Sequence, residues 1–353
     1  MKSLSTQIVI PVHDLTRPVS RAVKSVLDDE YSGVVVVGHN LDPADLDLPP
    51  DDRIVTVQAN GHAGKPGFPF DTGIAAASAD WLGIMGSDDW FQPGALKRMR
   101  DHLARDRADV VIAPLSYQGG GRSAGPLTPR QTNLRAAKDR LFYRTAPLGL
   151  IRSDILQDPF FAFTERYFSG EDLRASVRLW TSGLSVSFFR GDPGYVVGAD
   201  AKQRTTLVRR PLADQGAAWL AIWDDPHVSS LAAAERHSLA VKIARVHVLG
   251  AMNARSEKAD WTDEDFEWLA GLMRRLANED SRVLAPFRAA TARTLSALLA
   301  GDQDEALRNQ ALEDSSGLRD RLLPQNLFNV FERDSNVRWS LASAHVNRLS
   351  FGK

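Results

Sequence analysis

The chain has 353 residues, 43% apolar and 25% charged, the balance of a soluble globular protein with one large domain or two ordinary ones. Its net charge of -1 offers no overall field for nucleic acid or an anionic membrane, so no nucleic-acid partner is expected. The absence of cysteine excludes disulfides, thiolate catalysis and cysteine-ligated metals.

At the start, MKSLSTQIVIPVHDL lacks a secretory apolar run, because Pro11, His13 and Asp14 interrupt it. No window reaches the roughly 18 apolar residues of a spanning helix. A cytoplasmic protein is the expectation. QIVIPV reads as a buried strand, and RPVSRAVKSVLDD as a helix with Val19, Ala22, Val23 and Val26 on one face. GVVVVG is a second strand, rich in β-branched residues, and DRIVTVQA a third. A helix through Thr72 to Ser78 leads to WLGIMG, a fourth strand that ends on Asp88 and Asp89. PGALKRMRDHLAR is a further amphipathic helix, and ADVVIAPL a fifth strand. YQGGGRSAGPLTPRQTN reads as a flexible Gly-rich loop of the kind that gates sites. LSVSFFRGDPGYVVGA reads as two short strands about a Gly-Asp-Pro-Gly turn, a hairpin. This alternation predicts an α/β fold with a mostly parallel sheet covered by helices.

From about Leu212 the period is helical and strand signals vanish, placing a domain change near Arg210–Pro211. The expected domains are 1–210 and a helical module, 211–353. TDED before FEWL reads as a helix N-cap with acids in the first turn. The stretch RLLPQNLFNVFERDSNVRWSLASAHVNRL can dock on its own catalytic domain, mediate homo-oligomerisation, or make peripheral contact at the inner face of a membrane.

Ligands of open α/β sheets gather at the carboxyl ends of the strands, where Asp88 and Asp89 stand. Two carboxylates there suit Mg²⁺ or Mn²⁺, or they merely form a turn that caps the next helix. Glu171 and Asp172, in YFSGEDLRASVRLW, begin an amphipathic helix, where acids gain from the helix dipole whether or not they do chemistry. The histidines have no zinc spacing, and GHAGKPG lacks the P-loop pattern.

IVIPVHD with its following helix, then GIAAASADWLGIMGSDDW, and later SGEDLRASVRLW, occur in the order and rough spacing of the family 2 glycosyltransferases. The sequence resembles that family over about residues 7–206. The resemblance implies a GT-A fold, with a nucleotide-diphosphate sugar as donor and UDP favoured. It implies a hydroxyl of a glycan, polymer or lipid-linked molecule as acceptor. The family's D-x-D metal motif places its last acid on Asp88, to hold Mn²⁺ or Mg²⁺ with Asp89 beside it, and its first acid on Gly86. Pro11 falls on the nucleotide-binding first strand and His13 just after it, where the family often has a flat side chain near the base; His13 either stacks there or caps the helix from a turn. Gly38, His39 and Asn40 stand where the family has a base-contacting Asp, Phe70 and Asp71 where it has an Arg-Asn pair, and Ser87 lies inside the metal motif. Arg204, with Lys202, falls where a basic residue lies over the diphosphate, with Asp200 a nearby candidate partner. Asp172 matches the base of inverting members, with Glu171 supporting it. The rival readings are a GT-A-like scaffold without turnover, which Gly86 favours, and, more distantly, a nucleotidyltransferase.

Overall fold

The computed structural model describes residues 6–123, 125–200 and 209–351. It divides into two compact units, one running to Arg209 and including the last residues from Asn347, the other Arg210–Val346.

The first unit is built on a seven-stranded sheet of order β3-β2-β1-β4-β8-β6-β9. Its strands are β1 (Thr6–Val12), β2 (Ser32–His39), β3 (Ile54–Ala59), β4 (Trp81–Ile84), β6 (Val110–Ile112), β8 (Gly149–Arg152) and β9 (Val186–Phe188). A second sheet of order β5-β10-β7 joins β5 (Trp90–Phe91), β7 (Leu115–Tyr117) and β10 (Tyr195–Val197). Helices α1 (Val19–Leu27), α2 (Gly67–Ala76), α3 (Ala95–Asp106), α4 (Ser153–Leu156) and α5 (Leu173–Thr181) complete the unit. The parallel run β3-β2-β1-β4 explains the strand composition. Val34 to Val37 of β2 all have zero exposure, so alternation gives way to a continuous apolar run. β8 alone runs antiparallel to its neighbours, β4 and β6.

The small residues of GIAAASA have a steric cause. A Cβ on Gly73 would lie 2.3 Å from Val9 Cγ1 and 2.7 Å from Val37 Cγ2, so only glycine lets α2 lie this close to the sheet. The helix begins at Gly67, five residues before the expected Thr72, with Pro69 in its first turn, where the missing N–H is harmless.

Two expectations change. β9 and β10 do not form a hairpin: β9 pairs β6 in the large sheet, and β10 pairs β5 and β7 in the small one. The intervening turn is tied to α3, whose Arg98 donates to the carbonyls of Arg190, Gly191 and Asp192. The loop after β7 is also fastened. Arg190 donates to the carbonyls of Thr128 and Arg130, and buried Arg140 donates to Leu127 O at 3.0 Å.

The second unit is helical throughout its described residues, opening with α6 (Leu212–Gln215), α7 (Ala217–Trp223), α8 (Pro226–Ser229) and α9 (Ala233–Lys242). A π-helical stretch, Ile243–Val248, carries α9 into α10 (Leu249–Asn253). The wider turn sets residues five apart on one face. Buried Lys242 thereby meets His247, Nζ to Nε2 2.6 Å, and that imidazole stacks on Trp219. Burial and then Lys242 hold His247 well below the ordinary imidazole value, so it stays neutral and accepts. The helix α11 (Asp263–Glu279) starts as the sequence predicts, Thr262 accepting from Asp265 N at 3.1 Å. The remainder is α12 (Ala289–Ala300), α13 (Gln303–Ala311), α14 (Leu318–Leu322) and the part of α15 (Asn336–Phe351) that runs to Val346. Among the described residues no helix is long and apolar enough to cross a membrane.

Candidate functional site

The strand order reverses direction between β1 and β4, which defines a topological switch point and the crevice outside it. The opening of that crevice follows from Pro11. β1 pairs β2 as far as Val12 but β4 only to Val9, whose carbonyl accepts from Met85 N at 3.0 Å. Pro11, two residues on, faces the same side and has no N–H to offer, so β4 diverges there. The turn after β4 then carries Gly86, buried Ser87, Asp88 and Asp89 along the crevice.

The two adjacent acids do different work. Asp89 accepts from the Tyr195 hydroxyl through Oδ2 at 2.5 Å and from Gly198 N through Oδ1 at 2.7 Å. It thereby clasps the end of β10 to the turn. Burial is the main cause of its raised carboxyl pKa, which the Tyr195 and Gly198 bonds offset in part. Asp88 instead pairs with Arg17, Oδ1 to Nη1 2.9 Å, while its carbonyl accepts from Arg21 Nη2 at 2.5 Å. Arg21 lies over Trp90, its Cζ 4.1 Å from the ring centre, and its Nη1 donates to Asp200 at 2.7 Å. Gly198 is required here, since a Cβ would come within 1.9 Å of Asp88 O.

Gly86 has a comparable cause. A Cβ there would lie 2.7 Å from Asp89 Oδ2 and 3.3 Å from Asp88 Oδ1. An acid at the first position of D-x-D has no room while Asp89 holds Tyr195. Among the described residues no group of three His, Cys, Asp or Glu is placed to hold a metal ion. With Asp89 committed on both oxygens and Asp88 already paired, the two-carboxylate Mn²⁺ or Mg²⁺ site expected at Asp88 and Asp89 does not fit this donor set.

The same edge carries the other expected nucleotide contacts. Exposed His13 lies with Nε2 3.4 Å from Arg17 Nη2. His39 is buried, with Nε2 2.8 Å from Gly61 O. Asn40 makes reciprocal bonds to Gly61, fixing the loop after β3 beside the end of β2. His39 is therefore part of the wall, and exposed His62 lies tilted against Phe68, ring centroids 4.6 Å apart. Arg204, like Lys202, lies outside the described residues. Asp200, read as a partner for one of them, pairs with Arg21.

The second acidic pair reaches this edge through α2, which starts there because it follows the carboxyl end of β3. Asp71 Oδ1 accepts from Phe163 N at 3.0 Å, and Phe70 stacks on Phe163 with centroids 5.3 Å apart. These two residues build a wall from segment 163–172 in place of the family's Arg-Asn. Thr164 N donates to Glu171 O at 3.0 Å, which sets Glu171 and Asp172 just before α5. Burial, then the charge of neighbouring Asp172, pushes the Glu171 carboxyl up to about 8. Burial likewise raises Asp71 to about 6. Glu171 thus holds its proton near pH 7.

A stability consequence follows from the signs. Both folded-state values lie above the unfolded ones, so between those values the folded chain holds protons the unfolded chain has lost. Stability therefore falls as pH rises from about 4 through about 6 for Asp71, and from 4.5 through about 8 for Glu171. Glu171→Gln flattens the decline between pH 5 and about 8, measured as melting temperature against pH. An unchanged slope would remove the buried-carboxyl assignment.

Sequence reasoning missed Arg17, Arg21, Tyr195 and Gly198. The arginines had a signal: TRPVSRA spaces them four apart at a helix start, on one face. Tyr195 and Gly198 had none, lying about a hundred residues from their partners.

Residues 51–160 match the family model described as Glycosyl transferase family 2. Poly(ribitol-phosphate) beta-N-acetylglucosaminyltransferase TarP of Staphylococcus aureus is 19% identical over 218 residues, 59% of this chain and 66% of that protein, just under two thirds of its length. The crystal structure of S. aureus TarS 1-349 in complex with UDP-GlcNAc superposes with a TM-score of 0.71 at 16% identity, covering 88% of this chain and 92% of that one. The longer TarS structure gives 0.68, and this chain covers 55% of it. At such identities the structural likeness speaks for the fold, and it is the GT-A fold that the resemblance implied. The chain therefore has a segment that matches the family 2 glycosyltransferase model, within a GT-A fold that carries a helical C-terminal region.

Proposed function

We propose that this protein is an inverting glycosyltransferase that takes a sugar from UDP-sugar and places it on a hydroxyl of a glycan or polyol-phosphate polymer. The reading is supported by the switch-point edge, where Arg17 and Arg21 meet Asp88 and where the segment leading to Asp172 packs on the start of α2. UDP is favoured because the similar TarS fold has been crystallised with UDP-GlcNAc, and a polyol-phosphate acceptor because TarP is a poly(ribitol-phosphate) glycosyltransferase.

In this reading the diphosphate lies by the end of β1, against the two guanidiniums, whose planar forks suit phosphate oxygens. The acceptor oxygen attacks the anomeric carbon as the bond to the diphosphate oxygen breaks. Its proton passes to Asp172, and the bonding electrons leave with UDP. Neutral Glu171 hydrogen-bonds the acceptor without competing for that proton. Asp89 positions the turn that presents Asp88.

The deciding experiment is thermal unfolding of the full chain with a panel of nucleoside diphosphates, followed by sugar transfer to polyol-phosphate polymer. UDP at 100 times its dissociation constant adds about 2.7 kcal/mol, a shift of several degrees. A panel in which no nucleotide moves the transition would overturn the donor assignment.

A further inference from the structure

The loop between β1 and α1 is built to present one guanidinium at the switch point. Asp14 orders it: Thr16 N donates to Asp14 Oδ1 at 2.8 Å and Arg17 N to Asp14 O at 3.1 Å, with Pro18 fixing the next φ. Arg17 then meets Asp88 with both side chains largely shielded, 10% and 14% exposed. A shielded, directly bonded pair of this kind is screened far less than a surface one. Across from it, Gly86 leaves no space for a second acid, and Asp89 is committed to Tyr195 and Gly198. One turn further along α1, Arg21 is held by its Trp90 stack and its bonds to Asp88 O and Asp200.

We infer that Arg17, oriented by Asp88, neutralises the donor diphosphate in this chain, the part that D-x-D gives to a divalent cation, so that nucleotide binding needs no metal. The inference rests on the nucleotide-sugar reading above. A guanidinium has five N–H donors in a plane, so the contact with Asp88 fixes its direction while the fork is shaped for two phosphate oxygens. Asp88 is here a positioning residue. When the bond to the sugar breaks, the charge that grows on the diphosphate oxygen falls beside a fixed positive charge already in place. The small acid-to-glycine change and the arginine belong together: with a second acid at position 86 the crevice would gain negative charge and Arg17 would have two carboxylates to satisfy.

The test is UDP binding to the full chain by calorimetry, in EDTA and in Mn²⁺. Wild type is expected to bind with the same affinity, within about twofold, in both. Arg17→Gln is expected to lose about 10- to 100-fold in EDTA, as a charge-assisted hydrogen bond is removed. Arg17→Lys, which keeps the charge but not the fork, is expected to fall between them. Melting temperature without nucleotide reports whether each variant is folded, and the chelator comparison on wild type needs no variant. If wild type binds UDP only with Mn²⁺, the inference is overturned while the glycosyltransferase reading stands. If UDP binds equally well to Arg17→Gln, Arg17 is a structural partner of Asp88 and the inference is again overturned. If UDP binds under neither condition, the donor reading falls and takes this inference with it.

Discussion

Asp172→Asn is expected to lower kcat about 10²–10⁴-fold while UDP affinity stays within about twofold, because general-base assistance is a transition-state contribution. Asn keeps the shape and hydrogen-bonding length of Asp but cannot take up a proton. The backbone that places residue 172 is fixed by Thr164 N on Glu171 O and by the first turn of α5, where Ser176 N donates to Asp172 O at 2.9 Å. The variant therefore keeps its fold, and its loss reads as chemistry. Glu171→Gln is the informative companion. With burial already holding Glu171 protonated near neutrality, the amide is a close mimic, and transfer at pH 7 is expected within about fivefold of wild type. The measurement is initial rate of UDP release with a polyol-phosphate acceptor, beside calorimetric UDP affinity. Retention of kcat within threefold in Asp172→Asn would move the base elsewhere.

The second large effect is on stability. Tyr195→Phe keeps a ring with zero exposure and its edge contact with Phe91, but removes one hydroxyl. That hydroxyl donates to Asp89 Oδ2 and accepts from Gly86 N at 3.2 Å. Losing it takes one donor from a buried carboxylate that keeps Gly198 N, and one acceptor from the Gly86 N–H beside it. The expected cost is about 2–4 kcal/mol, since an abandoned buried polar partner carries its whole desolvation penalty. Chemical denaturation at constant m-value measures it. A Tyr195→Phe loss below about 0.5 kcal/mol would mean that the clasp does not hold the turn.

What could be read from the sequence was what is locally encoded. The strands of the parallel run show as VVVV because both faces are buried, and the helices show their 3.6-residue period. The two acids at the strand end and the pair before α5 were visible as residues. Their division of labour was not. Asp88 and Asp89 are adjacent, so opposite side-chain directions send one to Arg17 and the other to Tyr195, and no spacing rule foretells this. The second sheet was illegible for a related reason. Strands of two and three residues, drawn from positions near 90, 116 and 196, carry too little pattern to register a period. The supposed hairpin failed on this point, its two halves being claimed by different sheets.

The clasp also sets a schedule. Asp89 and the Tyr195 hydroxyl that satisfies it are 106 residues apart. Chains grow at about 5–20 residues per second, so the β1-β4 half can emerge and pack roughly 5–20 s before its carboxylate finds a donor. During that interval the nascent protein holds a nearly complete parallel core with an unsealed rim. A ribosome that stalls between these positions would release a stub able to collapse but unable to close its crevice, a natural client for chaperones. Synthesis order, as much as the finished geometry, decides when this protein first becomes able to bind its donor.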